Sequence, residues 1–266
     1  MRRKGWLLPA YTGLVLAYLF IPIAVMILFG FNDPRGRFNF VWQSFTLDWY
    51  RPSTLFEIQD LTLALKNSLV IAGISTLVAT IFGTMMALAL SRYRFRARSA
   101  LNLGIFIPMA TPEVTLGASL LAFFVTVNIA RDIKTIVIAH IAFSISYVVV
   151  TVKARTSGFD RYLEDAAQDL GATPWTTFWT VTFPLIFPGI LAAGLLAAVL
   201  SIDDYVVTSF NAGPDTTFPL WVYGASRIGV PPQVNVMGTL IFMVGVIYVV
   251  VSLLRARERS SPLRIG

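Results

Sequence analysis

The sequence predicts an all-α protein, a polytopic membrane bundle of about six transmembrane helices. Three observations predict it. The 266 residues are 56% hydrophobic, with a mean hydropathy of +0.71. Charged residues make up 13%, about half of the ~25% usual in soluble domains. Six charge-poor stretches are each long enough for the ~20 apolar residues that a spanning helix requires. The chain reads as a single transmembrane domain, residues 1–266, without internal repeat or low-complexity tract.

The stretches follow from their bounding charges. Gly5–Asn32 lies between Lys4 and Asp33. Its basic head, Arg2-Arg3-Lys4, resembles a signal peptide, but the apolar core from Leu7 to Phe29 exceeds a signal core of ~7–15 residues and no small-x-small site follows. It is read as an uncleaved first span. Asn67–Ser91 is the second, with Asn67-Ser68 as its cap. Ser99–Ala130 is the third and holds one charge, Glu113. Thr135–Val152 is the fourth. Leu170–Ile202 is charge-free but broken by Pro174, Pro184 and Pro188, so the fifth span is predicted to begin near Leu185. In Ile228–Leu254 the pair Pro231-Pro232 moves the predicted start of the sixth helix to about Asn235.

Lysine and arginine counts orient the bundle. With the N-terminus inside, the inner segments hold Arg2, Arg3, Lys4, Arg92, Arg94, Arg96, Arg98, Lys153, Arg155, Arg161, Arg255, Arg257, Arg259 and Arg264, which is 14 of the 21 basic residues. The bias predicts both termini cytoplasmic. It also accounts for the net charge of +7 without nucleic acid, since "RYRFRAR" sits at the inner end of a span. There is no cysteine, which excludes disulfides, thiolate metal sites and cysteine nucleophiles.

One segment departs from the apolar pattern. The largest inner loop, residues 154–184, contains "RYLEDAAQDLG", whose Leu163, Ala166, Ala167 and Leu170 recur at helical spacing with Glu164, Asp165, Gln168 and Asp169 on the other faces. Gly171 follows where a left-handed cap is wanted. Thr173-Pro174 restarts a helix with a hydroxyl N-cap and a proline at the first position. Two short amphipathic helices at the inner face read as a docking element. A loop lying on headgroups is the other reading, opposed by its acidic residues, which anionic lipids repel.

These residues carry a resemblance. The permease subunits of ABC importers share a cytoplasmic motif, E-A-A-x3-G-x9-I-x-L-P. Asp165-Ala166-Ala167, Gly171, Val181, Thr182 and Phe183-Pro184 match it at every spacing, with Asp165, Val181 and Phe183 substituted. "SRYRFRAR", "PMATPEVTLGASLL", "HIAFSISYVVV" and "SIDDYVVTSFNAGP" extend the resemblance to the permeases of spermidine/putrescine importers, the PotC type. The resemblance implies the type I importer permease fold, a place in the cytoplasmic (inner) membrane of a prokaryote, and inward polyamine transport by alternating access. It makes the loop the coupling helix against an ATP-binding subunit, with Glu164, Asp165, Ala166, Ala167, Gly171, Ala172, Thr173 and Pro174 as coupling residues. Asp165 is one methylene shorter than the motif's Glu, and Glu164 is the alternative source of its salt bridge.

No Gly-Lys dipeptide occurs in the chain, so it has no phosphate-binding loop of the G-x-x-x-x-G-K-[ST] type. The expected system is therefore a heterodimer with a related permease, a dimer of ATP-binding subunits, and an extracytoplasmic solute-binding protein. No cofactor or metal is expected, and no catalytic residue.

Three places are candidates for the solute path. Glu113 is an intramembrane carboxylate, costing at least ~2.5–3.5 kcal/mol unless paired or wetted. It follows Pro112, where distorted backbone lines a cavity. Its readings are a relay for an ammonium group or a protonated acid bonded between helices. Asp203-Asp204 close the fifth span at its outer end. Trp49 and Tyr50 offer cation–π faces or interfacial anchors. His140, the only histidine, reads as an interhelical hydrogen bond. Permeases for iron, thiamine or another cation, an ion-coupled secondary transporter and a membrane-embedded enzyme are the alternatives.

Overall fold

The computed structural model describes residues 6–158 and 162–260. Arg2, Arg3, Lys4, Arg161 and Arg264 of the orientation argument lie outside the described residues. The helices run in the order α1 (Leu7–Phe29), α2 (Pro52–Leu55), α3 (Gln59–Arg92), α4 (Arg98–Gly104), α5 (Phe106–Ala110), α6 (Glu113–Thr126) and α7 (Ile133–Ser157). They continue as α8 (Tyr162–Asp169), α9 (Pro174–Thr177), α10 (Phe183–Asp203), α11 (Val206–Asn211), α12 (Phe218–Ser226) and α13 (Pro232–Ser260). Extended pairing among the described residues is a lone bridge between Asn32 and Phe45. The all-α reading holds.

Five helices are long and apolar enough to cross a membrane, and six if the bent pair Arg98–Ala110 and Glu113–Thr126 is one span. That pair turns through 106°. Thr111 is extended, and Pro112 precedes the first residue of α6, so the helix ends where proline disfavours helical backbone in the residue before it. Glu113 therefore opens the second arm instead of lying at mid-helix. Its carboxylate sits in the first turn of α6, the positive end of the helix dipole.

Two other boundaries differ from expectation. The second span begins at Gln59, so Asn67 and Ser68 lie inside it and do not cap it. The Asn67 amide donates to the Thr216 carbonyl at 2.9 Å, and the Ser68 hydroxyl accepts from the Phe218 amide at 2.9 Å. Polar groups in an apolar helix here hold down the chain between α11 and α12. The fifth span does not start at Leu185. Helix continues from Pro174 to Asp203 through a π turn at Phe178–Thr182. A widened turn just before Pro184 and Pro188 lets a helix continue past residues that cannot complete its ladder.

The chain divides into two compact units, one formed by Met1–Thr62 and Val222–Gly266, the other by Leu63–Trp221. In the first, α1 packs on α13, with Met26 seated against Gly238. Its loop is fastened by Asn32, which is fully buried. The Asn32 side chain donates to Asn39 Oδ1 at 2.6 Å and the Val41 carbonyl at 2.9 Å, and accepts from the Gln43 amide at 2.7 Å.

In the second unit the main packing is α10 on α7. Its core is Ala79, Ala87, Leu90, Ile105, Val148, Val149, Val152, Ala193 and Ala197. Small residues, Gly189, Ala193, Ala197 and Ser201, predominate on the buried face of α10, because lipid supplies no hydrophobic force between helices and close van der Waals approach must do so. Gly117 on α6 meets α11 this way. A Cβ there would stand 2.7 Å from Phe210 Cδ2 and 3.2 Å from Val207 Cα. Gly73 faces open space. Gly117→Val should therefore destabilise the purified protein by about 1–3 kcal/mol, read as a lowered thermal midpoint in detergent, while Gly73→Val leaves it unchanged. Equal effects would contradict this packing.

Candidate functional site

Two sites in the second unit are built from polar residues: the loop after α7 and a cavity beside α6. The loop has the predicted form. Helix α8 spans Tyr162–Asp169 and ends in paired backbone bonds, Gly171 N–H to the Gln168 carbonyl at 2.8 Å and Ala172 N–H to the Ala167 carbonyl at 3.0 Å. This doubly bonded stop requires a left-handed residue, and Gly171 has φ +91°. Thr173 then caps α9, its hydroxyl accepting from the Thr176 amide at 3.2 Å, with Pro174 in the first turn.

The apolar stripe of α8 is uncovered. Leu163 is 50% exposed, Leu170 90% and, on α9, Trp175 71%. Beside it stands an aromatic row, Trp175, Phe178, Trp179 and Phe183, with neighbouring ring centroids 4.9–6.4 Å apart. The row runs through the π turn into α10.

The two adjacent carboxylates differ. Glu164 is turned into the chain, where it forms an ion pair with Arg92 at the end of α3 and accepts from the Thr182 hydroxyl in the π turn. Its side chain is 14% exposed. Arg92 also donates to Thr182 Oγ1 at 3.2 Å. Asp165 is exposed. Glu164 is thus committed within the chain, and Asp165 is the carboxylate left on the open face. Sequence spacing ranks both as surface acids, because the helical pattern of α8 does not reveal that α3 ends against it.

The cavity has a volume of about 520 Å³. Glu113, Asp203 and Asp204 all line it, together with Phe143, Tyr147 and Tyr205. Glu113 and the pair Asp203-Asp204 lie far apart in the sequence, and the fold brings them to one space. The bend at Thr111–Pro112 delivers Glu113, and the end of α10 delivers the aspartates. Asp203 is exposed. Asp204 is extended, with a side chain 7% exposed, and accepts from Thr208 N at 2.7 Å, Thr208 Oγ1 at 2.7 Å and Val207 N at 3.3 Å. His140, 1% exposed, meets Ser201, Thr208 and Asp204, the interhelical bonding expected of it. Phe143 and Tyr147 are not among the sequence candidates, although they follow His140 at i+3 and i+7, one face of α7.

Trp49 and Tyr50 belong to the first unit. The Trp49 indole donates to the Asn32 carbonyl at 2.9 Å. Tyr50 stacks on Phe31 with centroids 4.9 Å apart, and burial raises its phenol above the ordinary value of 10.0. Among the described residues no three His, Asp or Glu side chains are placed so that they could hold a metal ion.

A multi-span helix bundle with an acid-lined cavity and a polar loop has the organisation of a membrane transport component. Residues 79–257 match the family described as binding-protein-dependent transport system inner membrane component, and the chain belongs to this family. It is 37% identical over 247 residues to the spermidine/putrescine transport system permease protein PotC of Escherichia coli K12, covering 92% of this chain and 92% of that protein. It is 36% identical over 256 residues to the putrescine transport system permease protein PotI of the same strain, covering 93% and 90%. The fold resembles a chain of a bacterial ABC transporter that imports the acidic polysaccharide alginate, with a TM-score of 0.65 at 17% identity over 98% of this chain and 99% of that one. The MetNI methionine ABC transporter matches at a TM-score of 0.59 and 17% identity, over 77% and 97%. The architecture is that of the type I ABC importer permeases.

Arg92 and Glu164 form one bonded unit with Thr182, so their effects should not add. Arg92→Ala and Glu164→Ala combined should show a coupling energy of about 0.5–3 kcal/mol in a double-mutant cycle on thermal unfolding in detergent. Strict additivity would show that the pair is not formed.

Proposed function

We propose that the chain is one of two related permease subunits of an importer that moves polyamines, spermidine and putrescine, into the cell. ATP hydrolysis belongs to a separate dimer of ATP-binding subunits. An extracytoplasmic binding protein delivers the solute. The observation that carries the substrate reading is the convergence of Glu113, Asp203 and Asp204 on one cavity with Phe143, Tyr147 and Tyr205 in its walls. Fixed carboxylates attract ammonium groups, and aromatic faces attract the same cations. A polyamine carries several such groups on an apolar spine and matches both kinds of wall. Trp49 and Tyr50 are the candidates for aromatic faces outside this cavity. The orientation follows the lysine and arginine bias, with both termini cytoplasmic.

The loop is the handle for the ATPase. Its uncovered stripe, Leu163, Ala166, Ala167 and Leu170, supports docking against a second protein, with Asp165 beside it as the free carboxylate. Ala172, Thr173 and Pro174 hold the second half of the handle at a fixed angle. Glu164 works inward, tying the handle through Arg92 and Thr182 to the ends of α3 and α10. Movement of the ATPase then tilts both helices and switches the cavity between outside and inside.

Three outcomes follow. In proteoliposomes holding the whole complex, spermidine- or putrescine-loaded binding protein should stimulate ATP hydrolysis and uptake; stimulation confined to another solute would overturn the polyamine assignment. Glu113→Gln should lower uptake roughly tenfold, the loss of about 1.4 kcal/mol of charge interaction, with the complex intact; wild-type uptake would remove Glu113 from the path. At Gly171 the constraint is conformational, since a Cβ would meet nothing within 4 Å. Gly171→Asn, which tolerates the left-handed region, should therefore retain coupling, whereas Gly171→Val should lose it. Equal behaviour of the two variants would contradict a role for the cap.

A further inference from the structure

A line of polar side chains crosses four helices of the second unit and ends at the cavity. Ser75 Oγ of α3 lies 3.1 Å from Ser201 Oγ of α10. Ser201 Oγ lies 2.7 Å from His140 Nδ1 on α7. His140 Nε2 is 3.0 Å from Thr208 Oγ1 on α11 and 3.3 Å from Asp204 Oδ2. Ser75, Ser201, His140 and Thr208 are each buried, from 0% to 4% exposed. Asp204 is the member of this line that also lines the cavity.

The carboxylate sets the direction of the bonds. It only accepts, and the Thr208 hydroxyl donates to its Oδ2 at 2.7 Å. Thr208 Oγ1 must then accept from His140, which makes Nε2 the donating nitrogen toward both Thr208 and Asp204. Oδ2 is thereby occupied by Thr208 and the imidazole. Oδ1 receives only the long 3.3 Å bond from Val207 N. One oxygen is anchored, the other has bonding capacity left, and the residue lines the cavity. Hydrogen bonds aligned in one direction polarise one another, so the line fixes the orientation of the carboxylate as well as its place.

We infer that His140 is a positioning residue for cation passage: it does not meet the solute, but with Thr208 it holds Asp204 so that its second oxygen faces the cavity. This rests on the reading of the cavity as the cation path. The other charged groups at the cavity are Glu113 and Asp203, neither of which is bonded to the imidazole in this line.

The test uses the complete reconstituted complex, saturated with spermidine-loaded binding protein. Asp204→Asn is measured first and should lower the uptake rate. His140→Phe, and Thr208→Val, which keeps the shape and removes only the relay hydroxyl, should each lower the rate about tenfold, the worth of one hydrogen bond to a charged group. The concentration of loaded binding protein giving half the maximal rate should stay unchanged, because docking outside is untouched. His140→Gln, whose amide can donate where Nε2–H did, should restore most of the rate. In the Asp204→Asn background neither His140→Phe nor Thr208→Val should lower it further. Full uptake by His140→Phe and Thr208→Val beside an impaired Asp204→Asn would overturn the inference and leave the cation path standing. So would losses that add to that of Asp204→Asn. Full uptake by Asp204→Asn itself would overturn Asp204 as part of the path, and the inference with it.

Discussion

The contact on which the rest depends is the ion pair of Arg92 with Glu164, shared with the Thr182 hydroxyl. It joins three parts of the second unit: the last residue of α3, the amphipathic helix α8, and the π turn leading into α10. Without it α8 would hang from α7 by a short connection. With it the loop is tied to the two helices whose other portions reach the polar line at Ser75 and the aspartates at the end of α10. A largely shielded pair is costly to break, since one partner then keeps an uncompensated charge. The geometry therefore makes a stiff link out of residues that would contribute little as exposed surface charges.

Other polar side chains of the second unit are committed to partners in the same way. In hydrocarbon, backbone and side-chain polar groups must find partners within the protein. Arg98 donates to the Leu90 carbonyl at the end of α3, Arg155 to the Leu185 carbonyl, and Lys153 to Asn102 Oδ1. Asn67 and Ser68 bind loop backbone, and Asp132 caps α7 through a reciprocal pair with Thr135. Where the ladder itself breaks, at Thr111–Pro112, a cavity appears, and the acids face it. The irregular backbone and the cavity go together, because such backbone in a membrane protein is tolerated only where it is buried in protein or lines a water-filled space.

Much of this is legible in the sequence. The spans follow from charge-free length, α1 to the residue, because hydropathy over ~20 residues is a strong signal. The loop is legible in detail: the stripe of α8, the glycine stop and the Thr-Pro restart are local rules with local causes. The helix boundaries at prolines are not. Pro184 and Pro188 read as a break, but a π turn carries the helix through, and that accommodation depends on tertiary packing. Asn67-Ser68 reads as a cap because the polar start of α3, from Gln59 onward, looks like loop. The three acids are each visible as charges in apolar surroundings, but nothing in their spacing says that a 106° bend brings them to one cavity. The commitment of Glu164 to Arg92, 72 residues away, is likewise beyond any local pattern, as is the line from His140 to Asp204.

On the proposed reading, the loop drives the helices through the Arg92–Glu164–Thr182 contact. The most direct measurement is the number of polyamine molecules delivered per ATP hydrolysed by the reconstituted complex, compared between the wild-type chain and Arg92→Ala. ATP hydrolysis should continue with Arg92→Ala, which leaves the exposed stripe of α8 unchanged, while delivery per ATP falls severalfold. An unchanged ratio, with Arg92→Ala assembled and hydrolysing normally, would contradict it.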